Sequence, residues 1–118
     1  MTKRVVMYSR ERSCADVDVA RRVLSILRVP YQEINIEEDE SARERVMAWT
    51  GRATVPTIVI AEGSGVEPLE PVGTVTPGSS PRGVDRGALI SEPSADELRA
   101  FLEKHDLVPV AREQAPDA

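Results

Sequence analysis

Residues 5–14 of this 118-residue chain decide the fold, and they read Val5-Val6-Met7-Tyr8-Ser9-Arg10-Glu11-Arg12-Ser13-Cys14. The first four residues form an apolar, β-prone run that predicts a buried strand, and the polar stretch from Ser9 to Ser13 predicts a loop. Apolar residues then recur at helical spacing as far as Leu27, with arginines on the other faces. Cys14 therefore stands between a strand and the first turn of the helix that follows it.

The alternation of strands and helices continues along the chain. Pro30 ends the first helix, because a proline biases the residue before it away from helical geometry. The residues at 31–36 then alternate in side-chain type and predict a second strand. The acidic run at 37–40 suits the start of a second helix, where the helix dipole favours negative charge. Gly51 is the expected C-terminal stop of that helix, and residues 57–61 predict a third strand.

A segment at about 62–87 interrupts this pattern and is rich in Gly, Pro and Ser. It is either an extended hairpin or a mobile loop, and long loops are usually functional or disordered. We therefore expect one domain over residues 1–107 that contains this insert, followed by a flexible tail at 108–118.

A short strand and a final helix complete the pattern. Residues 88–90 predict the strand, and Ser94 with Glu97 fits the capping box that opens a helix. His105 falls at the end of this helix, where we expect it on the surface. The resulting order βαβαββα predicts an α/β fold with a four-stranded mixed sheet and helices on both faces, in which the first βαβ unit is parallel.

Composition excludes several classes of function. The chain is 41% hydrophobic and 30% charged, as globular proteins are, and its formal net charge of -5 opposes a nucleic-acid role. No apolar run approaches the roughly 20 residues of a membrane-spanning helix, so we expect no membrane partner and a cytoplasmic location. The single cysteine cannot form an internal disulfide, and no Cys/His spacing predicts a metal site.

Cys14 is the residue most suited to chemistry. Backbone N–H groups in the first turn of a helix lack helical partners, and they stabilise a thiolate that lies close to them. Arg10 and Arg12 favour the thiolate further, whereas Asp16 opposes it by like charge. The alternative is a buried structural cysteine. A second candidate element is Thr54-Val55-Pro56, which lies directly before a strand, where a proline is unremarkable.

Taken together, these elements resemble the glutaredoxin family of thioredoxin-fold proteins. Its members carry a strand ending in Tyr-(Ser/Thr) before C-P-Y-C, a second strand of the form Y-x-E-I-D-I, and the element T-G-x-x-T-V-P. The last strand and helix are similar to those of mycoredoxin-like members, and the resemblance covers residues 3–61 and 87–105. The matching segments are Tyr8-Ser9, Cys14, the helix over 20–24, the strand over 31–37, Thr50-Gly51 with the segment 54–57, and the segment 88–98.

The resemblance implies a thioredoxin fold and a role for each matched position. Cys14 would be the nucleophilic thiolate, and Val55 would pair its backbone with a low-molecular-weight thiol, held by a cis peptide bond at Pro56. Arg10, with Arg12 nearby, would assist the ligand's carboxylate or the thiolate. The family's Gly-Gly element near the last helix is missing, so the helix start at Ser94 would receive the ligand's charged end instead. The co-substrate would be glutathione, mycothiol or bacillithiol, with no tightly bound cofactor.

One departure from the family pattern narrows the expected mechanism. Val17 stands where the second active-site cysteine is expected, so we predict a monothiol oxidoreductase that reduces mixed disulfides between proteins and a small thiol. The alternative is a weak or inactive binding or regulatory module whose insert contacts a partner. A third interpretation is cluster or metal binding by a dimer through two copies of Cys14, although the C-G-F-S motif of cluster-carrying relatives is absent.

Overall fold

The computed structural model describes residues 2–12, 14–73 and 80–109. Its elements follow one another in the order expected for an α/β fold. They are β1 (Lys3–Ser9), α1 (Ala15–Ile26), β2 (Tyr31–Asn35), α2 (Glu40–Thr50), β3 (Thr57–Glu62), β4 (Leu89–Ser91) and α3 (Ala95–Lys104). The predicted βαβαββα pattern is therefore confirmed.

The four strands form one mixed sheet in the order β2-β1-β3-β4. β1 runs parallel to β2, with Val5 opposite Tyr31, and α1 supplies the crossover that parallel strands require. β3 is antiparallel to both β1 and β4. This order and these directions are those of the thioredoxin fold, as the resemblance implied.

Helices cover both faces of the sheet. The central strands are buried over consecutive residues, 5–9 in β1 and 57–61 in β3, so neither face is open to water. α1 and α3 pack against each other on one face. On the other face, the ring of Trp49 in α2 meets that of Tyr8 edge-on, with ring centroids 5.5 Å apart. These contacts hold the end of β1, and with it the start of the loop to Cys14.

The ends of α2 and α3 follow the chemistry that the sequence predicts. The Asp39 side chain accepts a hydrogen bond from the Ala42 N–H at 3.0 Å and caps α2. Gly51 ends that helix at φ 84°, in the left-handed region that favours glycine. Ser94 and Glu97 form the complete capping box that opens α3. Each of these signals is local in sequence, which is why it can be predicted.

The insert has two described arms, residues 62–73 and residues 80–87, which are hydrogen-bonded to the rest of the domain and to each other. The Leu69 N–H donates to the Ile60 carbonyl at 2.8 Å, and the Tyr8 hydroxyl donates to the Val66 carbonyl. The two arms meet where the Gly73 N–H donates to the Arg86 carbonyl and the Arg86 Nε donates back to the Gly73 carbonyl at 2.7 Å. Burial lowers the pKa of Arg86, because it disfavours the charged guanidinium.

The expectation that His105 lies on the surface is wrong. Its side chain is buried because the ring packs against Phe101, with centroids 5.0 Å apart, and Nε2 lies 2.8 Å from the Gly87 carbonyl oxygen. The first residue of the expected tail, Val108, is also buried. Residues 110–118 lie outside the described residues. Within the described ranges, no helix is both long and apolar enough to cross a membrane.

Candidate functional site

Cys14 is the N-cap residue of α1. Its backbone is extended (φ -147°, ψ 131°), and its carbonyl accepts the first helical hydrogen bond from the Asp18 N–H at 2.9 Å. The thiol makes no capping hydrogen bond and is half-buried. The sulfur is therefore beside first-turn N–H groups that favour a thiolate, without being used to cap them.

A second backbone segment, residues 52–55, approaches Cys14 from the start of β3. It is fixed internally, because the Thr57 hydroxyl donates to the Thr54 carbonyl at 2.8 Å and the Thr54 N–H donates to the Arg52 carbonyl at 2.8 Å. The peptide bond between Val55 and Pro56 is cis. Within the described part of the chain, neither the N–H nor the carbonyl of Val55 has a hydrogen-bond partner. The main chain of Val55 therefore has a donor and an acceptor that no described residue uses.

One cavity of about 260 Å³ brings these two segments together. Of the residues that the sequence singled out, Cys14, Arg10 and Val55 line it, while Pro56 is buried next to Val55 and does not. The full lining is Arg10, Cys14, Arg52, Ala53, Thr54, Val55, Ser80, Pro81 and Glu92. The cavity therefore contains a thiol, an unpaired stretch of main chain and three charged side chains.

Arg10 links the loop before Cys14 to the segment that contains Val55. Its Nη2 donates to the Ala53 carbonyl at 2.9 Å. Its Nε is buried and has no hydrogen-bond partner among the described residues. Arg10 therefore supplies a positive charge at the wall of the cavity that the described residues satisfy only in part.

Arg12 and Ser94, the other two predicted ligand residues, do not line the cavity. Arg12 is exposed in the loop that follows β1. Ser94 is engaged at the start of α3: its Oγ accepts from the Glu97 N–H at 3.1 Å, and its own N–H donates to Glu97 Oε1 at 2.7 Å. The structure gives Ser94 a capping contact.

Six residues at or near the cavity were missed by the sequence analysis: Arg52, Ala53, Ser80, Pro81, Arg82 and Glu92. All of them except Arg82 line the cavity. The Arg82 guanidinium donates to both carboxylate oxygens of Asp16, from Nη1 to Oδ2 at 2.8 Å and from Nη2 to Oδ1 at 3.1 Å. Arg82 Nη1 also lies 3.6 Å from Glu92 Oε2. The hydrogen bond that Arg82 donates to Asp16 raises the pKa of Arg82. No local pattern signals this pair, because 66 residues separate its members.

Val17 occupies the position of the expected second cysteine. Its side chain is buried in the core on the inner face of α1. Among the described residues, no group of three or more His, Cys, Asp or Glu side chains is arranged to hold a metal ion. The redox-capable chemistry of the described site therefore centres on the Cys14 sulfur.

Solved structures with similar folds include a structural-genomics target from X. campestris (19% identity, 85% of this chain and 96% of that one, TM-score 0.49). Another is the holo form of glutaredoxin C1 from Populus tremula x tremuloides (18% identity, 94% of this chain and 85% of that one, TM-score 0.46). No curated protein matches the chain.

The sequence model described as Glutaredoxin matches residues 5–64, which is just over half of the 118 residues. The matched range includes most of β1, all of β3, and Arg10, Cys14 and the segment 52–55, which line one side of the cavity. The chain belongs to the glutaredoxin family, and a thiol oxidoreductase-like role follows from that membership.

Proposed function

We propose that this protein is a monothiol oxidoreductase that reduces mixed disulfides between proteins and a low-molecular-weight thiol through Cys14. The observation that carries the proposal is the shared cavity: the Cys14 thiol, at the N-terminus of a helix, and the unpaired main chain of Val55 line the same 260 Å³ space. A small thiol with a peptide-like part can pair with that main chain while its sulfur faces Cys14.

The first step is a thiol–disulfide exchange. The Cys14 thiolate attacks the sulfur that belongs to the small thiol in a protein–thiol mixed disulfide. A new disulfide forms between Cys14 and the small thiol as the original S–S bond breaks. The protein sulfur leaves as a thiolate and takes a proton from solvent. Orientation favours attack on the small-thiol sulfur, because the rest of that thiol is held against Val55.

The second step regenerates the protein. A second small-thiol molecule, as its thiolate, attacks the sulfur of the thiol bound to Cys14, which releases a small-molecule disulfide and returns the Cys14 thiolate. Each turnover therefore consumes one free small-thiol molecule, and it yields one protein thiol and one small-molecule disulfide that contains the thiol removed from the protein. An external thiol can resolve the intermediate, so the buried Val17 at the second-cysteine position does not prevent turnover.

The charges in the cavity suit a thiol that carries a carboxylate or several hydroxyl groups. Arg10 and Arg52 supply positive charge and hydrogen-bond donors, and Glu92 supplies an acceptor. Glutathione, mycothiol and bacillithiol are the co-substrate classes that we propose. A cytoplasmic location is part of the proposal, since small thiols keep cysteines reduced in that compartment.

The test uses a protein carrying one mixed disulfide with each of the three small thiols in turn. We expect the wild-type protein to release the protein thiol with at least one of them, and mass spectrometry to detect that thiol on Cys14. Cys14→Ser is expected to abolish turnover, and Ser25→Ala, at an exposed position of α1, to leave it unchanged. Turnover by Cys14→Ser, or none by the wild type with any of the three thiols, contradicts the proposal.

The second candidate is a binding or regulatory module that has lost activity. The specific observation in its favour is that the insert supplies Ser80 and Pro81 to the wall of the cavity that contains Cys14. The dependence of Cys14 alkylation on pH separates the two functions, because the thiolate is the reactive form. A midpoint well below the ordinary value of about 8.5 supports the oxidoreductase, and a thiol that does not react supports the module.

A further inference from the structure

The second described part of the insert, residues 80–87, reaches the cavity although it lies outside the range matched by the family. Ser80 and Pro81 line the cavity, and Pro81 is buried. The backbone behind them is fixed to β4, because the Gly83 N–H donates to the Ser91 carbonyl at 2.7 Å and Arg82 forms a parallel bridge with the same serine. Ser80 and Pro81 are therefore held in the cavity wall by main-chain contacts with β4.

The contact between this arm and the helix of Cys14 is a bidentate ion pair. Arg82 Nη1 lies 2.8 Å from Asp16 Oδ2, and Arg82 Nη2 lies 3.1 Å from Asp16 Oδ1. Two parallel N–H···O bonds fix the relative orientation of a guanidinium and a carboxylate. Asp16 is two residues after Cys14, in the first turn of α1, so the pair lies at the same end of this helix as the thiol.

The charge of this pair matters for a thiolate at the N-cap. A carboxylate in the first turn repels a neighbouring thiolate, which offsets the benefit of the helix N-terminus. With Arg82 in place, Asp16 and Arg82 together are neutral. Glu92, which lines the cavity, also lies within 3.6 Å of Arg82.

The other charged groups that face Cys14 do not make the pair redundant. Arg10 and Arg52 line the cavity from the loop after β1 and the segment before β3. Glu11 and Arg12 precede Cys14 in an exposed loop and have opposite signs. These groups are the same in any variant of the pair, so a change in Asp16 or Arg82 alone alters the local charge by one unit.

We propose that Arg82 is a positioning residue for Cys14, which neutralises Asp16 beside the thiolate and anchors the Ser80–Pro81 wall of the cavity. This inference rests on the proposed function, since it concerns the reactivity of the same thiol. It assigns to the insert a part in the redox site, in place of a surface that contacts a separate partner.

The test compares Arg82→Gln, Asp16→Asn and the double variant by the pH midpoint of Cys14 alkylation with a neutral reagent. Removing the cation leaves an unpaired carboxylate and is expected to raise the midpoint by roughly half a pH unit. Removing the anion leaves an unpaired cation and is expected to lower the midpoint. The double variant restores neutrality and is expected to return close to the wild-type value.

The directions of these midpoint shifts distinguish an effect of charge from a clamp, by which we mean an ion pair that acts only by holding α1 and the insert together. Both single variants break the same ion pair, so a clamp alone predicts that they shift the midpoint in the same direction or leave it unchanged, and either result overturns the proposal. Arg82→Lys keeps the charge and is expected to keep the midpoint. Arg99→Gln, which removes an ion pair within α3, is the matched control and is expected to have no effect.

The measurement needs no disulfide substrate, so the two proposals can fail separately. A wild-type thiol with a low midpoint that Arg82→Gln does not shift overturns the role of Arg82 and leaves the oxidoreductase standing. A shift in the expected directions without turnover of any mixed disulfide supports Arg82 and contradicts the oxidoreductase. A Cys14 that does not react at any pH overturns both.

Discussion

The two walls of the Cys14 cavity differ in how they are held. One wall, built from Arg10, Cys14 and the segment 52–55, lies inside the range matched by the family, and its carbonyl groups accept hydrogen bonds from Arg10, Thr54 and Thr57. The other wall, built from residues 80–82 and Glu92, lies outside that range. Main-chain hydrogen bonds attach it to β4, but its contact with α1 is made by an exposed guanidinium. Exposed ion pairs are screened by salt, whereas buried contacts are screened much less. We therefore propose that the thiol chemistry is set by the first wall and adjusted by the second.

Thr57 joins the two walls, and its substitution gives the largest expected loss of stability. It is fully buried, donates to the Thr54 carbonyl at 2.8 Å, and lies 2.8 Å from the Ser91 hydroxyl. Thr57→Val keeps the shape but deprives both groups of a partner, so we expect the free energy of unfolding to fall by about 1–3 kcal/mol. Urea unfolding measures this loss.

The control for that experiment is Thr57→Ser, which removes a methyl group and keeps the hydroxyl. We expect it to lose less stability than Thr57→Val and to retain turnover. An unfolding free energy of Thr57→Val equal to that of the wild type would show that the hydrogen bonds between the walls contribute nothing net.

Arg10 and Arg12 offer a matched pair for testing the first wall. The Arg10 guanidinium lines the cavity and holds the Ala53 carbonyl, whereas Arg12 is exposed and outside the cavity. We expect Arg10→Ala to lower kcat/KM for a mixed disulfide by about tenfold, the size of one lost charge-assisted hydrogen bond. Arg12→Ala is expected to change it by less than about twofold. Equal losses in the two variants would remove Arg10 from the ligand site.

The sequence predicted the first wall because its signals are local. The apolar run of β1, Cys14 before a helix and Gly51 after one each depend on neighbouring residues, and the family pattern adds Val55-Pro56. The second wall depends on contacts across 66 residues, through a Gly- and Pro-rich segment that has no periodicity. The prediction that His105 lies on the surface was wrong in part for the same reason, because one of the contacts of its ring is the Gly87 carbonyl, 18 residues away.

Substitution of Ser94 gives the smallest expected effect of these predictions. The family resemblance implies that Ser94 binds the small thiol, whereas the structure shows that it caps α3. As a cap, Ser94→Ala is expected to cost about 1 kcal/mol of unfolding free energy. The KM for the small thiol is expected to stay within about twofold of wild type, because Ser94 does not line the cavity. Ser25→Ala, an exposed serine-to-alanine change, is the control and should alter neither quantity. A several-fold rise in KM for Ser94→Ala alone would mean that the start of α3 receives the charged end of the thiol, and that the second wall extends as far as this helix.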